Sequence, residues 1–499
     1  MNSTLAFTLL LILPLASTPL IYILGRVSYL LNNKINLARW AALLVLAAML
    51  IPLSACLQSV IAQGAIDLNF YALTFHMDGI SVLMAAVVVG LGFLVTIYSA
   101  IYMHGEDGEE KFYAMLVAMI GAIIGLVSAN DLFNMWVWFE TMAMSSYMLV
   151  AFYRHQRGAL EAGMKYIVQS AVGSTLILLG IALVFGHAGT LSLSEIKAAS
   201  SSTTLLSAAG ALFIIGFGVK SALVPMHTWL PDAHSQAPSG ISAMLSGIVI
   251  EAGLIAMLRA LAPIFDFNTN WGVILIVLGA INILVGNLMA LRQEEVKRLL
   301  AYSSISHMGY IVTGIGIAVT FGLADGATGS FFHLTVHAMM KGLAFLCAGA
   351  LMFALFISRA SHKSLTRDDL CGAATKYPVL AFVFSLAILS LGGLPPLAGF
   401  MSKWQIILSA FEAHNTAALV LGLFMAVNSV LSLGYYAPLI NRMYRREPSA
   451  AVLEGNKLSF WIVLPLIVLS AGIIVLGFYP SLLNGLFETA SASLLAIFG

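Results

Sequence analysis

The stretch GFGVKSALVPMHTWLP, residues 216–231, places a lysine and two prolines at the end of a long apolar run. A proline inside a transmembrane helix frees a backbone carbonyl group that hydrocarbon cannot satisfy. Such a break is tolerated only where it packs against protein or lines a wet cavity. The stretch therefore predicts a broken membrane helix with an ionisable side chain, Lys220, beside the break.

A second stretch of the same kind lies downstream. In LGGLPPLAGFMSK, residues 391–403, a double proline precedes Lys403. Interrupted helices in corresponding positions of two halves of a membrane chain are typical of inverted repeats, in which the broken segments line the ion site. The two stretches together therefore predict an inverted repeat with an ion site near the breaks.

The composition excludes a water-soluble protein. The 499 residues are 60% hydrophobic and only 9% charged, and their mean hydropathy is +0.97. Apolar runs of about 20 residues, which cross roughly 30 Å of hydrocarbon, recur along the chain. We predict a single integral membrane domain over residues 1–499, an all-α polytopic bundle of about 14 transmembrane helices. The expected spans are 4–25, 40–60, 80–102, 113–129, 131–153, 165–187, 207–224, 239–260, 271–291, 299–319, 327–354, 379–411, 416–441 and 459–480.

Lysines and arginines are distributed unevenly between the loops on the two sides of these spans. When loops are numbered by the preceding span, 18 of the 23 basic residues fall in odd-numbered loops, whereas even-numbered loops hold only Lys197 and Arg259. Cytoplasmic loops collect Lys and Arg. We therefore expect a multi-pass protein of the inner cell membrane with both termini on the non-cytoplasmic side.

Five charged residues remain inside the predicted spans, namely Glu140, Lys220, Glu251, Lys341 and Lys403. A charge near the bilayer centre costs at least roughly 2.5–3.5 kcal/mol, and ionisable groups there commonly form proton or ion pathways. We therefore assign these residues to a proton relay. A static salt bridge at Glu140 and snorkelling of Lys220 to the interface are the alternatives.

Glu140 has no lysine within one helical turn, so its partner must come from another helix. Lys220 is the natural candidate. Burial favours the neutral form of a lysine, and a nearby carboxylate favours the charged form. A change in the distance between the two groups would therefore load and release a proton. Glu251 also needs a partner, for which Lys220 and Lys341 are both candidates.

Three histidines complete the predicted relay. His333, His337 and Lys341 are spaced i, i+4 and i+8, so they share one face of a helix. His307 lies among serines in AYSSISHMGY and can extend the relay, although a lone histidine is commonly a packing residue. Helix–helix hydrogen bonding is the alternative for the histidine face. Two histidines at i, i+4 can also bind a metal, but the HExxH glutamate is missing, so we expect no metal site.

Two further histidines, His227 and His234, flank Asp232 after the first break. They form either a cytoplasmic proton entry or a solvated loop. The sequence shows no Fe–S cysteine pattern, nucleotide-binding glycine motif or paired haem ligands. We therefore expect no cofactor. Basic residues are spread thinly along the chain, which argues against binding of nucleic acid.

Five motifs, in this order, resemble the antiporter-like membrane subunits of respiratory complex I (subunits M, N and L), their counterparts in membrane-bound hydrogenases, and the large subunits of Mrp-type sodium/proton antiporters. The resemblance covers about residues 75–450. The motifs are WFETMAMSSYML, KSALVPMHTWLPDAHSQAPSGISAMLSG, VKRLLAYSSISHMGY, HLTVHAMMKGLAFLCAGAL and GGLPPLAGFMSKW.

The resemblance implies a fold of 14 helices with two inverted five-helix repeats, at residues 113–260 and 271–441, each with one broken helix. It matches the family's functional residues on helices five, seven, eleven and twelve to Glu140, Lys220, Lys341 and Lys403. One departure is Glu251, where the eighth helix of the family usually carries a lysine. PMHTWLPDAH is closest to M-type and hydrogenase subunits, whereas a lysine at 403 is closer to the N, L or Mrp types.

By this resemblance the chain is a proton-translocating membrane subunit of a complex I-like NADH/quinone or hydrogenase-type oxidoreductase. Redox chemistry would take place on other subunits, so the chain itself would be non-catalytic, and other membrane subunits would be its partners. The alternative is a D-like subunit of a multi-subunit Mrp-type Na⁺/H⁺ antiporter. Sodium requires several oxygen ligands at one depth, and the sequence shows no obvious cluster of them. A third hypothesis is a structural scaffold with statically paired charges.

Overall fold

A computed structural model of the chain describes residues 2–31, 36–70, 73–199, 204–265, 270–355, 364–444 and 447–498. Within these ranges the protein is a helical bundle with one two-stranded antiparallel hairpin. Twelve of the described helices are long and apolar enough to cross a membrane. The predicted all-α membrane bundle is therefore confirmed, whereas the predicted count of about 14 spans is not.

The N-terminal part consists of two long helices, the hairpin and a third helix. The hairpin lies in the polar gap between the second and third predicted spans, and the sequence analysis did not predict it. These elements are α1 Ser3–Leu30, α2 Leu37–Gln63, β1 Ile66–Phe70, β2 Leu73–Met77 and α3 Gly79–Tyr102.

The first half of the bundle contains the first predicted break, which separates α8 from α9. Its last helix is continuous but contains one π-helical turn, a local irregularity that is frequent at functional sites. The elements are α4 Glu109–Ser128, α5 Leu132–Val150, α6 Arg157–Ala188, α7 Leu193–Ala199, α8 Thr204–Lys220, α9 Trp229–Gln236, α10 Ser239–Met244, the π turn Leu245–Val249, α11 Ile250–Leu261 and a 3₁₀ turn Ala262–Ile264.

The second half contains the second predicted break, between α16 and α17, and is followed by the C-terminal helices. Its elements are α12 Trp271–Leu291, α13 Val296–Phe321, α14 Ala324–Leu355, a 3₁₀ turn Asp368–Leu370, α15 Ala373–Lys376, α16 Pro378–Gly392, α17 Ala398–Glu412, α18 Thr416–Tyr444, α19 Ala450–Glu454, α20 Phe460–Phe478, a 3₁₀ turn Pro480–Leu483 and α21 Asn484–Phe498.

Every predicted span overlaps a helix, but three of them fall outside the twelve apolar helices of the described chain. They lie in α8 and α16, which are shorter apolar helices, and in α5, which carries several polar side chains. The twelfth helical segment that is long and apolar enough to cross a membrane is the C-terminal one, which contains α21. The sequence analysis did not predict it as a span.

The contacts of α21 place it along one end of the bundle. The backbone N–H of Gly79, the first residue of α3, donates to Ser493 Oγ at 3.1 Å. Ser491 Oγ donates to the carbonyl oxygen of Ala324, the first residue of α14, at 3.0 Å. Because both partners are helix starts at the same end of the bundle, α21 lies across that end instead of running through its centre.

The N-terminus lies at the same end as α21. The ring of Phe7, near the start of α1, packs edge-on against Phe75 of β2, with ring centroids 6.4 Å apart. The strand β2 leads directly into the start of α3. The described chain therefore begins and ends on one side of the bundle, which we call the terminal end.

Basic side chains collect at the opposite end, which we call the basic end. Arg39 Nη1 donates to the carbonyl oxygen of Ala100, near the C-terminal end of α3, at 3.0 Å. Arg154 bonds Asp107 at 2.9 Å, in the connections that follow α3 and α5. Arg39 and Arg154, from two different odd-numbered loops, thus share one end of the bundle.

Small residues bring α12 and α13 into close contact. Gly272, Gly279 and Gly286 recur every seven residues along α12 and face α13. A Cβ atom on Gly286 would lie 2.5 Å from the backbone nitrogen of Ser306. Close backbone approach through small residues is the usual way in which helices associate inside a membrane.

We predict that Gly286→Ala destabilises the protein by about 1–3 kcal/mol, because the added methyl group overpacks this contact. Gly90→Ala in α3 is the matched control, since nothing lies within 4 Å of its added Cβ. Thermal unfolding in detergent should show a lower melting temperature for Gly286→Ala alone. Equal melting temperatures for the two variants would contradict the close packing of α12 on α13.

Candidate functional site

The predicted relay residues lie in the interior of the bundle, with one exception. Seven of the eight have an exposed fraction of at most 3%, and they are Lys220, Glu251, His307, His333, His337, Lys341 and Lys403. The exception is Glu140, which is half-buried. Side-chain contacts divide the buried residues into a network around Lys220, a line of histidines, and two lysines beside that line.

Lys220 is the last residue of α8 and donates to two hydroxyl groups. Its Nζ lies 2.5 Å from Tyr166 Oη and 3.2 Å from Ser146 Oγ. The two hydroxyl oxygens are themselves 2.8 Å apart. The ammonium group also lies 4.4 Å from the centroid of the Tyr166 ring, within the range of a cation–π contact. Lys220 is thus held by neutral groups from α5 and α6.

The first break is closed by side chains that take up its backbone polar groups. The indole N–H of Trp229 donates to the carbonyl oxygen of Val219 at 2.7 Å. The backbone N–H of Val224 donates to Asn282 Oδ1 at 2.7 Å. Trp229 also stacks on Tyr166, with ring centroids 4.0 Å apart. Trp229 therefore has two roles. It bonds a carbonyl group beside the break, and it positions Tyr166, whose hydroxyl group holds Lys220.

Glu140 lies on the outward face of α5, between the exposed side chains of Val137 and Met144. Its Oε1 has no hydrogen-bond partner within the described parts of the chain. Lys220 instead bonds the hydroxyl groups of Tyr166 and Ser146. In this conformation, the predicted pairing of Glu140 with Lys220 is therefore not a direct hydrogen bond or ion pair.

Glu251 begins a line of buried polar groups. His337 Nδ1 lies 2.8 Å from Glu251 Oε1. The ring of His337 stacks on that of His307, with centroids 5.3 Å apart. His307 Nδ1 lies 3.0 Å from His333 Nε2, and His333 Nδ1 lies 2.8 Å from Ser402 Oγ. We call these five residues the histidine line.

Lys403 follows Ser402 directly and lies at the second break. Its Nζ donates to the carbonyl oxygen of Leu391 at 2.8 Å, in the last turn of α16. It also lies 4.9 Å from the centroid of the Tyr310 ring. Each break thus places a lysine over a tyrosine ring, and the second lysine directly satisfies a carbonyl group of the interrupted helix.

Lys341 lies one turn beyond His337 on α14. Its Nζ donates to the carbonyl oxygen of Leu300 at 2.8 Å and to Ser303 Oγ at 2.5 Å. The hydroxyl groups of Ser303 and Tyr436 are also hydrogen-bonded to each other. Lys341 therefore bonds the serine of a serine–tyrosine hydroxyl pair, whereas Lys220 bonds both hydroxyl groups of its pair.

Sequence reasoning offered Lys220 or Lys341 as the partner of Glu251, but the structure pairs it with His337. The helix of Lys220 nevertheless packs tightly against that of Glu251. A Cβ atom on Gly253 would lie 3.0 Å from Lys220 Cβ. The network around Lys220 and the histidine line therefore meet where α8 crosses α11.

His234 is a buried residue whose role the sequence analysis left open. It is fully buried and stacks on Phe345, one turn beyond Lys341 on α14, with ring centroids 4.6 Å apart. Lys297, which sequence analysis assigned to a loop, is also buried and donates to the carbonyl oxygen of Ala237 at 2.6 Å. His234 therefore lies in the interior and not in a solvated loop.

Asp232 differs from its neighbour His234 because it lies at the surface of the basic end. Lys165 and Arg298 donate to its two carboxylate oxygens at 2.9 and 2.6 Å. Partial burial raises the pKa of Asp232, but these two cations together lower it below its ordinary value. The carboxylate therefore stays ionised and links α9, which also carries His234, to α6 and α13.

The chemistry available at this site is proton transfer. A neutral imidazole accepts a hydrogen bond at one ring nitrogen and donates at the other, so adjacent imidazoles can pass a proton along. Hydroxyl groups such as that of Ser402 can also accept and donate. Among the described residues, no group of three or more His, Cys, Asp or Glu side chains is arranged to hold a metal ion.

Comparison with protein families gives two matches along the chain. Residues 129–429 match the family model described as NADH:quinone oxidoreductase/Mrp antiporter, transmembrane region. Residues 66–113 match the model described as NADH-ubiquinone oxidoreductase (complex I), chain 5 N-terminus. The first match contains all eight predicted relay residues.

Known proteins resemble the chain over most of its length. F(420)H(2) dehydrogenase subunit N of Methanosarcina mazei is 29% identical over 474 residues, which cover 94% of each chain. NADH-quinone oxidoreductase subunit N of Desulforamulus reducens is 31% identical over 445 residues, or 88% of each chain. A chain of the membrane-bound sulfane sulfur reductase, an archaeal respiratory membrane complex, has a TM-score of 0.87 at 27% identity, covering 99% of this chain and 98% of that one.

Proposed function

Because this chain belongs to the NADH:quinone oxidoreductase/Mrp antiporter family of membrane proteins, we propose that it is a proton-translocating membrane subunit of a complex I-like or hydrogenase-type oxidoreductase. The support comes from the histidine line, which connects the first half of the bundle with the second break. Ionisable groups inside a membrane are costly and are usually retained for ion or proton movement. Electron transfer would take place on the other membrane-associated subunits of the complex.

In this mechanism a proton moves between Lys220 and Lys403 through the interior of the bundle. The hydrogen-bonded steps along the histidine line transfer it from one ring nitrogen to the next. The exception is the contact between His337 and His307, which are stacked and do not share a hydrogen bond. Transfer there requires rotation of an imidazole ring or a bridging water, so this contact is the natural control point.

Glu251 gives the line an electrically neutral way to hold a proton. A carboxylate and an imidazole at 2.8 Å can share one proton without leaving a net charge in the interior. The related subunits that carry a lysine at this position would instead hold a positive charge there. The departure at Glu251 therefore changes the charge of the relay and keeps its continuity, because His337 provides the next step.

Protons would enter from the basic end through Lys297 and His234. Both residues are buried, and they lie between the surface carboxylate of Asp232 and the ammonium group of Lys341. From Lys341 the route continues to His337, one helical turn away on α14. This assignment favours the proton-entry interpretation of His234 over the solvated loop.

We further propose that residues 113–260 and 271–441 form the two inverted repeats. Each half contains one broken helix with a buried lysine beside the break. In both halves the lysine lies over a tyrosine ring, at 4.4 Å for Lys220 and 4.9 Å for Lys403. The two lysines would thus occupy related positions at the opposite ends of one route.

The Mrp-type antiporter is the second candidate, because the matching family model includes that group. Sodium prefers several oxygen ligands at one depth, as hard cations generally do. The histidine line instead presents imidazole nitrogens at most of its steps. The composition of the route therefore favours protons over sodium as the ion that it carries.

We predict that Lys220→Ala and Glu140→Gln each abolish proton pumping while the complex still assembles. Loss of a positioned proton-transfer group lowers the rate by on the order of a hundredfold. The native assembly would be reconstituted in vesicles, and proton movement would be followed during quinone-linked electron transfer and, separately, under a sodium gradient. Lys457→Gln, at an exposed lysine, is the matched control.

Loss of redox-driven pumping in Lys220→Ala and Glu140→Gln, but not in Lys457→Gln, supports the proposal. Proton movement driven only by the sodium gradient would assign the chain to an antiporter instead. Normal pumping in both variants would show that the buried charges serve a structural purpose.

We also propose that the protein lies in the inner cell membrane with its basic end in the cytoplasm, as the distribution of basic residues indicates. Leu453 and Leu482 lie on either side of α20, and both are 65% exposed. In a Cys371→Ser background, an impermeant maleimide added outside intact cells should label Leu482→Cys and leave Leu453→Cys unlabelled. The opposite labelling pattern would invert the orientation.

A further inference from the structure

A cavity of about 550 Å³ opens between α1, α4 and α5 at the basic end, away from the relay residues. This volume lies within the range of roughly 300–1,000 Å³ that is typical of sites for small ligands. Its walls are formed by Pro19, Tyr22, Met115, Met148 and other mostly apolar residues. This cavity, which we call the groove, therefore has the shape and lining of a site for an apolar chain.

The apolar walls continue to the outer surface of the bundle. Met148 is 51% exposed, and Tyr22 on α1 is 39% exposed. Methionine side chains adapt to irregular apolar partners because they are flexible and polarizable. A lipid acyl chain can thus enter the groove sideways from the bilayer and lie against Met115 and Met148.

The mouth of the groove carries a net positive charge. Two cations, Lys111 and Arg154, and one anion, Asp107, line it. Arg154 bonds Asp107 at 2.9 Å, whereas the ammonium group of Lys111 makes no hydrogen bond or ion pair with any residue that the structure describes. Lys111 is therefore available to an anionic group.

The charged and apolar parts of the groove lie at different depths. Lys111 is the third residue of α4, and Arg154 follows the end of α5. Met115 lies one turn further into α4, about 6 Å deeper along the helix axis. This arrangement matches an amphiphile whose anionic head lies at the interface and whose chain extends into the hydrocarbon.

We propose that this groove is a binding site for an anionic phospholipid. The phosphate group lies beside Lys111 and Arg154, and one acyl chain runs along the apolar walls. Basic pockets between transmembrane helices are suited to anionic headgroups, and each basic residue near the surface strengthens binding about fivefold. A helix of a neighbouring subunit would fill the apolar groove but would not account for the uncompensated charge of Lys111.

The test uses the purified native complex. After removal of loosely bound lipid, the complex is equilibrated with micelles that contain phosphatidylglycerol or phosphatidylcholine, and retained lipid is quantified by mass spectrometry. Lys111→Gln should retain about fivefold less phosphatidylglycerol than the unaltered complex. Lys111→Arg, which keeps the charge, and Lys457→Gln, at an exposed lysine outside the cavity, should retain as much as the unaltered complex.

Equal retention of phosphatidylglycerol by Lys111→Gln and Lys457→Gln would overturn the proposal. Equal retention of the two lipids by the unaltered complex would also overturn it, since this would show a general lipid shell. Side chains of a neighbouring subunit inside the groove, in a map of the intact assembly, would identify that subunit as the occupant instead.

Discussion

A polar group inside a bilayer must find its partner within the protein, because hydrocarbon offers none. The breaks in α8 and α16 show how the chain meets this requirement. Trp229 takes up the carbonyl group of Val219, and Lys403 takes up that of Leu391. The buried ammonium group of Lys220 likewise rests on two hydroxyl groups. Lys403 thus both satisfies the interrupted backbone and belongs to the candidate proton route, whereas Trp229 satisfies the backbone beside Lys220.

The sequence predicts the elements of this arrangement better than their partners. Apolar runs located the helices, and prolines beside lysines located both breaks. The pairing of Glu251 with His337 could not be predicted in the same way, because 86 residues separate them and only packing brings them together. His234 was equally ambiguous, since its polar neighbours suggest a loop. The α21 segment was missed because the helix has only 15 residues, fewer than the roughly 20 that cross a bilayer.

The histidine line combines continuity with one point of control. Its hydrogen-bonded steps hold each imidazole in place, but His307 and His337 meet only through their stacked faces. In the proposed route, a proton held at Glu251 and His337 would therefore be separated from Lys403 by a small ring movement. Such a step can be opened or closed by a displacement of α13 against α14, which other subunits of a redox complex could drive.

The most direct test is the number of protons pumped per electron in complexes that carry His307→Phe. Phenylalanine keeps a ring in the stack but removes the nitrogen that faces His333. Tyr310→Phe, one turn away on α13, removes a buried hydroxyl group that bonds the carbonyl oxygen of Met425 and lies outside the line. We predict that His307→Phe retains electron transfer but loses proton pumping, whereas Tyr310→Phe pumps normally. An unchanged ratio in His307→Phe would show that protons do not travel along the histidine line.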